Sequence, residues 1–121
     1  MAIKAATIMI YGIGIDVVDI ERFKESLERT PALGTRLFTP AELTHPFSSL
    51  AARFAAKEAI AKAMDSKKTF AWQEVEIINL DSGKPTFVLT GAVAKLLEGK
   101  RVHLTLSHDA GIASAMVVIE E

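Results

Sequence analysis

Two carboxylates and two lysines carry the first chemical signal in this chain. Asp16 closes the apolar stretch "IMIYGIGID", and Glu58 lies in "RFAAKEAIAKAM", Arg53 to Met64, with Lys57 beside it and Lys62 one helical turn on. A pair of hard oxygen ligands suits Mg²⁺, which takes one or two protein carboxylates, several waters and substrate phosphate oxygens. Lysines nearby would neutralise the phosphate charge that remains. On a helix, at about 100° per residue, Leu50, Phe54, Lys57, Ile60, Ala61 and Met64 share one arc and Glu58 sits at its border. Lys57 is therefore on the core side, which leaves two readings. Either its stem snorkels and Glu58 and Lys62 form a surface i,i+4 pair, or the three make the floor of a site. Asp16 is similarly divided between a group presented to a cleft at a strand end and an N-cap for the next helix, where Asp19 competes.

Other polar groups say less. "LSHDAG" sets Ser107, His108 and Asp109 in a turn between strands. Neighbouring strand residues point to opposite faces, so Ser107 and His108 do not make a hydrolase triad, and no G-x-S-x-G elbow accompanies them. "SGKP" lacks the GxxxxGK[ST] pattern of a phosphate-binding loop and reads as a hairpin turn. With no cysteine, the chain has no disulfide framework, thiolate metal site or cysteine nucleophile, in keeping with a reducing cytoplasm.

The elements that must position these groups follow from pattern. Ile8 to Asp16 reads as a buried strand, with Gly12 and Gly14 allowing something to approach closely. "DIERFKESLERT" carries Ile20, Phe23 and Leu27 at helical spacing behind Asp19 as N-cap, and stops before Pro31. Thr39, Pro40 and Glu42 form a capping box that opens a short helix. Ser48 to Met64 is the longest helical signal, alanine-rich and free of internal glycine and proline. Beyond a polar loop, "WQEVEIINL" and "TFVLT" make a hairpin, "GAVAKLLEG" a short helix closed by Gly99, and the tail two strands joined through "HDAG". The sum is an α+β domain with a largely antiparallel sheet, a long central helix and shorter helices.

At 121 residues and 50% hydrophobic composition, the chain holds one core and not two. A formal charge of −1 gives no general surface for nucleic acid, so any basic patch is local. The start, "MAIKAATI", is broken by Lys4 and supports neither a signal peptide nor a membrane span. Residues 1–8 are expected to be an N-terminal extension or leader, with Met9 an equally good first residue.

Taken together, "GIGID" ending at Asp16, "RFAAKEAIAKA" from Arg53, "GKP" at 83–85 and "LSHD" at 106–109 resemble the holo-[acyl-carrier-protein] synthases, the small bacterial phosphopantetheinyl transferase family. The resemblance runs from about Met9 to Glu120. It implies a 4′-phosphopantetheinyl transferase fold over residues 9–121, assembled as a trimer with sites at subunit interfaces. It also implies a cytoplasmic, Mg²⁺-dependent enzyme of fatty acid biosynthesis. The reaction would carry 4′-phosphopantetheine from coenzyme A to a serine of apo acyl carrier protein or a carrier domain, releasing adenosine 3′,5′-bisphosphate.

By the same resemblance Asp16 and Glu58 hold the metal, Lys62 reaches a phosphate, and Asp16, Glu58 and Lys62 are the catalytic set. Ser107 and His108 lie against the nucleotide end of coenzyme A, bordered by the turn of Gly83, Lys84 and Pro85. Arg22 and Arg29 match basic positions that dock the acidic carrier. Where many members have a glycine-rich loop after the central helix, this chain has "MDSKKTF" without glycine. There Lys67 or Lys68 is expected to supply charge to the 3′-phosphate, or the loop to order when coenzyme A binds. The rival reading from another class is a non-catalytic coenzyme-binding module.

Overall fold

The computed structural model describes residues 8–64 and 70–121. Among the described residues there are nine regular elements, in the expected order apart from one added helix. They are β1 (Ile10–Asp19), α1 (Ile20–Arg29), α2 (Pro31–Leu37), α3 (Phe47–Ala63), β2 (Val75–Asn79), β3 (Pro85–Leu89), α4 (Gly91–Leu96), β4 (Arg101–Asp109) and β5 (Ile112–Glu120). Single 3₁₀ turns lie at Glu42–Thr44 and Trp72–Glu74. Residues 1–7 of the expected 1–8 extension, and Lys67 and Lys68, lie outside the described residues.

All strand pairing is antiparallel, in one sheet ordered β1-β5-β4 and a second made of β2 and β3. The alternation in β4 is clean: Val102, Leu104 and Leu106 turn inward while Arg101, His103, Thr105 and Ser107 are exposed. A two-residue turn at Ala110 (φ 50°) and Gly111 (φ 79°) then reverses the chain into β5; two successive positive φ values are what a tight hairpin with right-twisted strands requires.

Helix α3 lies across the inner face of the larger sheet. Ala113, Ala115, Val117 and Ile119 of β5 are buried against it, as are Ala51, Ala55, Ala59 and Ile60 of the helix itself. The contact with β1 is closest where glycine removes the side chain. A Cβ on Gly12 would stand 1.8 Å from the Ala63 carbonyl oxygen, and one on Gly14 would stand 1.9 Å from that of Ala59. Helix backbone therefore rests almost on strand backbone, which only glycine permits.

Four expectations change. Strand β1 does not end on Asp16: β-branched Val17 and Val18 carry it on to Asp19, and Asp16 pairs in mid-strand with Ala115. Helix α1 stops before Pro31 as expected, but α2 was not foreseen: Pro31 also occupies the first turn of a new helix, where its missing N–H costs nothing. Ser107 and His108 belong to β4 rather than to the turn. The capping box closes as expected, with Thr39 N–H donating to Glu42 Oε1 at 3.0 Å and Glu42 N–H to Thr39 Oγ1 at 3.2 Å, but the helix it opens is a single 3₁₀ turn.

Candidate active site

Side chains two apart on a strand share a face, so the residues Gly12, Gly14 and Asp16 all look toward α3. The glycines bring the strand down onto the helix, and Asp16 is delivered to the level of Glu58 and Lys62. Lys62 Nζ donates to Asp16 Oδ1 at 3.1 Å and to the Ile15 carbonyl at 2.9 Å. The Lys62 side chain is 53% exposed, so the pair is a locator more than a source of stability. Asp16, Glu58 and Lys62 edge a cavity of about 470 Å³ between β1, α1 and α3, with Phe23 and Phe54 as its apolar floor and Arg22 and Ser26 on the α1 rim.

Within it the Glu58 carboxyl is pushed above its ordinary pKa, first by burial and then by the charge of Asp16, while Lys62 pulls it down. Two carboxylates pressing on each other in one cavity are a donor pair that a hard cation would relieve. The aromatic floor is continuous: Phe23 and Phe54 stack at 4.9 Å, and Phe54 meets Trp72 at 5.7 Å. This floor fixes the distance between α1 and α3, and hence between Arg22 and the carboxylates.

The other flank of α3 carries a second polar group that sequence reasoning did not assemble. Arg53 is 3% exposed. Its Nη1 donates to Ser49 Oγ, its Nη2 lies 3.3 Å from His45 Nε2, and its buried Nε has no partner among the described residues. Burial, and next the Arg53 charge, holds His45 below the ordinary imidazole pKa, with Glu42 opposing. Arg53 also lines a cavity of about 180 Å³ with Ser49, Asn79 and His108. A buried guanidinium with a free donor and a neutral imidazole beside it is a place for an anion. Arg53 stood in the quoted motif, and Ser49 lies one helical turn before it on α3; nothing in the spacing pointed to His45, which precedes the helix and is eight residues away.

Strand alternation separates the remaining candidates. His108 reaches the Arg53 cavity, whereas Ser107 lies on the opposite, exposed face beside Ser114. The turn of Gly83, Lys84 and Pro85 sits at the tip of the second sheet and does not line the Asp16–Glu58 cavity. Gly83 adopts φ 88°, in the region that favours glycine. Arg22 and Arg29 are both exposed on α1. Lys57 neither snorkels nor enters the cavity: it is fully buried and paired with Glu42 at 2.8 Å.

A family model described as "ACPS: 4′-phosphopantetheinyl transferase superfamily" matches residues 12–113. The chain belongs to this superfamily. Among its similar members is the holo-[acyl-carrier-protein] synthase of Clavibacter michiganensis subsp. michiganensis, 51% identical over 115 residues that cover 93% of this chain and 97% of the relative. That of Arthrobacter sp. is 53% identical over 115 residues, covering 93% and 99%. The crystal structure of the Neisseria meningitidis holo-[acyl-carrier-protein] synthase superposes with a TM-score of 0.82 at 35% identity, covering 93% of this chain and all (100%) of that one. The Helicobacter pylori protein, solved in complex with coenzyme A, gives 0.77 at 29% identity, covering 88% and 98%. The transferase superfamily thus accounts for the fold, and the chain is an enzyme of the holo-[acyl-carrier-protein] synthase kind.

Proposed function

We propose that the chain transfers 4′-phosphopantetheine from coenzyme A to a serine of an apo acyl carrier protein or carrier domain. The observation that carries this reading is the convergence of Asp16, Glu58 and Lys62, from β1 and α3, on one cavity rimmed by Arg22 of α1. Asp16 and Glu58 are the residues that would hold Mg²⁺, whose chemistry there would be to neutralise charge on the pyrophosphate and orient it. Lys62, anchored through the Ile15 carbonyl, directs its ammonium at the phosphate oxygens. The serine oxygen forms a bond to the β-phosphorus as the bond to the departing adenosine 3′,5′-bisphosphate breaks and takes its electron pair with it. Glu58, its basicity raised by burial, receives the serine proton directly or through a water it orients. The nucleophile belongs to the partner, so no serine of this chain is needed.

The nucleotide end is assigned to the far flank of α3, where Arg53, Ser49 and His108 supply donors and the turn of Gly83, Lys84 and Pro85 borders the ring. Arg22 and Arg29 on α1 dock the acidic carrier by charge complementarity. The enzyme acts as a cytoplasmic homotrimer in fatty acid biosynthesis. Support for assembly comes from the outer face of the larger sheet, where Ile13, Ile15, Val17 and Met116 stay exposed at 63%, 61%, 59% and 43%; apolar patches of this kind mark protein contacts. Ser107 lies on that face, so in this reading it meets coenzyme A across a subunit boundary.

The test is mass spectrometry of apo carrier protein incubated with coenzyme A, Mg²⁺ and the chain. A gain of one phosphopantetheine, lost with EDTA and restored by excess Mg²⁺, is expected. Binding of coenzyme A with no transfer to any carrier would favour the non-catalytic module instead.

A further inference from the structure

The chemistry assigned above leaves one buried cation unused. Lys57 is 0% exposed, and its ammonium spends its three donors on Glu42 Oε1 at 2.8 Å, the Trp72 carbonyl at 3.0 Å and the Val75 carbonyl at 2.6 Å. Glu42, 2% exposed, is equally occupied: Oε1 also accepts from Thr39 N–H at 3.0 Å, and Oε2 accepts from Ile77 N–H at 3.0 Å. Ile77 pairs in register with Phe87 of β3, but its N–H is given to Glu42, which stands in for a strand neighbour on the open edge of β2. One ion pair thereby ties the middle of α3 to the 3₁₀ turn before it and to both ends of the segment 72–77.

A buried ion pair seldom repays its desolvation, and an apolar pair of similar size would often hold a core as well or better. What this one does with all its bonds satisfied is fix a register. Asn79, two residues along β2 from Ile77, lines the cavities that hold Arg53, His45 and His108. The Asp16–Glu58–Lys62 cavity is set by a different contact, the resting of Gly12 and Gly14 on α3. The two flanks of α3 are therefore positioned by separate devices.

We propose that Lys57, with Glu42, is a positioning residue for the nucleotide end of coenzyme A: it locks β2 against α3 and so sets Asn79 opposite Arg53 and His108, without touching substrate. This rests on the assignment of the Arg53 flank to the nucleotide. The adjacent Glu58 points to the opposite flank, so one dipeptide serves both ends of the same substrate, one residue by contact and the other by placement.

Steady-state transfer by the full chain carrying Lys57→Met tests it, with coenzyme A and apo carrier protein varied in turn at saturating Mg²⁺. The KM for coenzyme A should rise on the order of tenfold, and inhibition by adenosine 3′,5′-bisphosphate should weaken in parallel. Turnover at saturation should stay within about twofold and KM for the carrier should not move. The double variant Lys57→Met, Glu42→Leu, which leaves no orphan charge, should show the same split and covers the case in which the single variant does not fold. A fall in turnover with unchanged KM for coenzyme A would place Lys57 at the reacting phosphorus and overturn the proposal. A lowered melting temperature with wild-type constants would reduce it to a packing residue. Failure of the wild-type chain to modify a carrier is a separate result and would count against the function instead.

Discussion

Glu58 is asked to be ionised in a place that resists ionisation. Burial and the neighbouring Asp16 raise its pKa, and Lys62 only partly compensates. An acid whose folded pKa lies above its unfolded one holds its proton more tightly in the folded state. Its contribution to stability is then fully present below the unfolded value and is lost as pH rises through the folded value. At neutral pH Glu58 is a cost. Metal-free Glu58→Gln protein should accordingly melt at a higher temperature than wild type at pH 7, with the gap closing toward acid pH. The same variant should lose about a hundredfold in turnover while its affinity for coenzyme A changes little. Thermal melts across the pH range and transfer assays check both halves. A carboxyl NMR titration adds a third: Asp16→Asn should lower the Glu58 pKa only part of the way, because burial is the larger cause. No movement at all would mean that the two carboxylates do not sense each other.

Between elements, the decisive contact is β1 on α3. Gly14→Ala would drive a methyl group to 1.9 Å from a helix carbonyl that cannot swing aside. It should cost roughly 3 kcal/mol in urea unfolding and displace Asp16 from Glu58, lowering activity beyond the loss of folded protein. Gly34→Ala in α2 is the contrast. Its nearest neighbours, Leu43 and Leu27, are side-chain atoms at 3.5 and 3.8 Å, so the variant should be neutral or gain up to about 1 kcal/mol from helix propensity. The task proposed for helix α1 is separate. Arg22→Glu with Arg29→Glu should raise KM for the carrier at least about tenfold at low salt and leave KM for coenzyme A nearly unchanged. Equal effects on both substrates would argue against docking through this face.

For the whole molecule, the outer sheet face poses the main question. In Ile13, Ile15 and Val17, strand β1 alternates as a half-buried strand should, yet the half that ought to be polar is apolar. A single copy leaves that surface in water. On the proposed assembly, wild type should sediment as a trimer in sedimentation velocity and Ile15→Glu as a monomer. Activity should fall with assembly, because Ser107 shares the face. A fully active Ile15→Glu monomer would remove the subunit boundary from the site.

Much of this was legible in the residues themselves. The order of strands and helices other than α2, the Asp19 cap, the Thr39–Glu42 box and both hairpins depend on neighbours close in sequence, and local chemistry determines them. The quoted motifs and their order were enough to point to the superfamily, and Gly12 and Gly14 announced a close approach before its partner was visible. Where local rules compete, tertiary contacts decided. Pro31 follows the end of one helix and also starts another, and the second depends on the packing of Leu37 and Phe38 into the core. Asp16 could close its strand or sit within it, and pairing with β5 extended β1 by three residues. Lys57 is the clearest case. Helix periodicity placed it on the core side and could go no further, because its partners, Glu42, Trp72 and Val75, are 15 to 18 residues away in sequence. An ammonium's fate depends on which acceptors reach it through space, and only the folded chain brings those acceptors to one point.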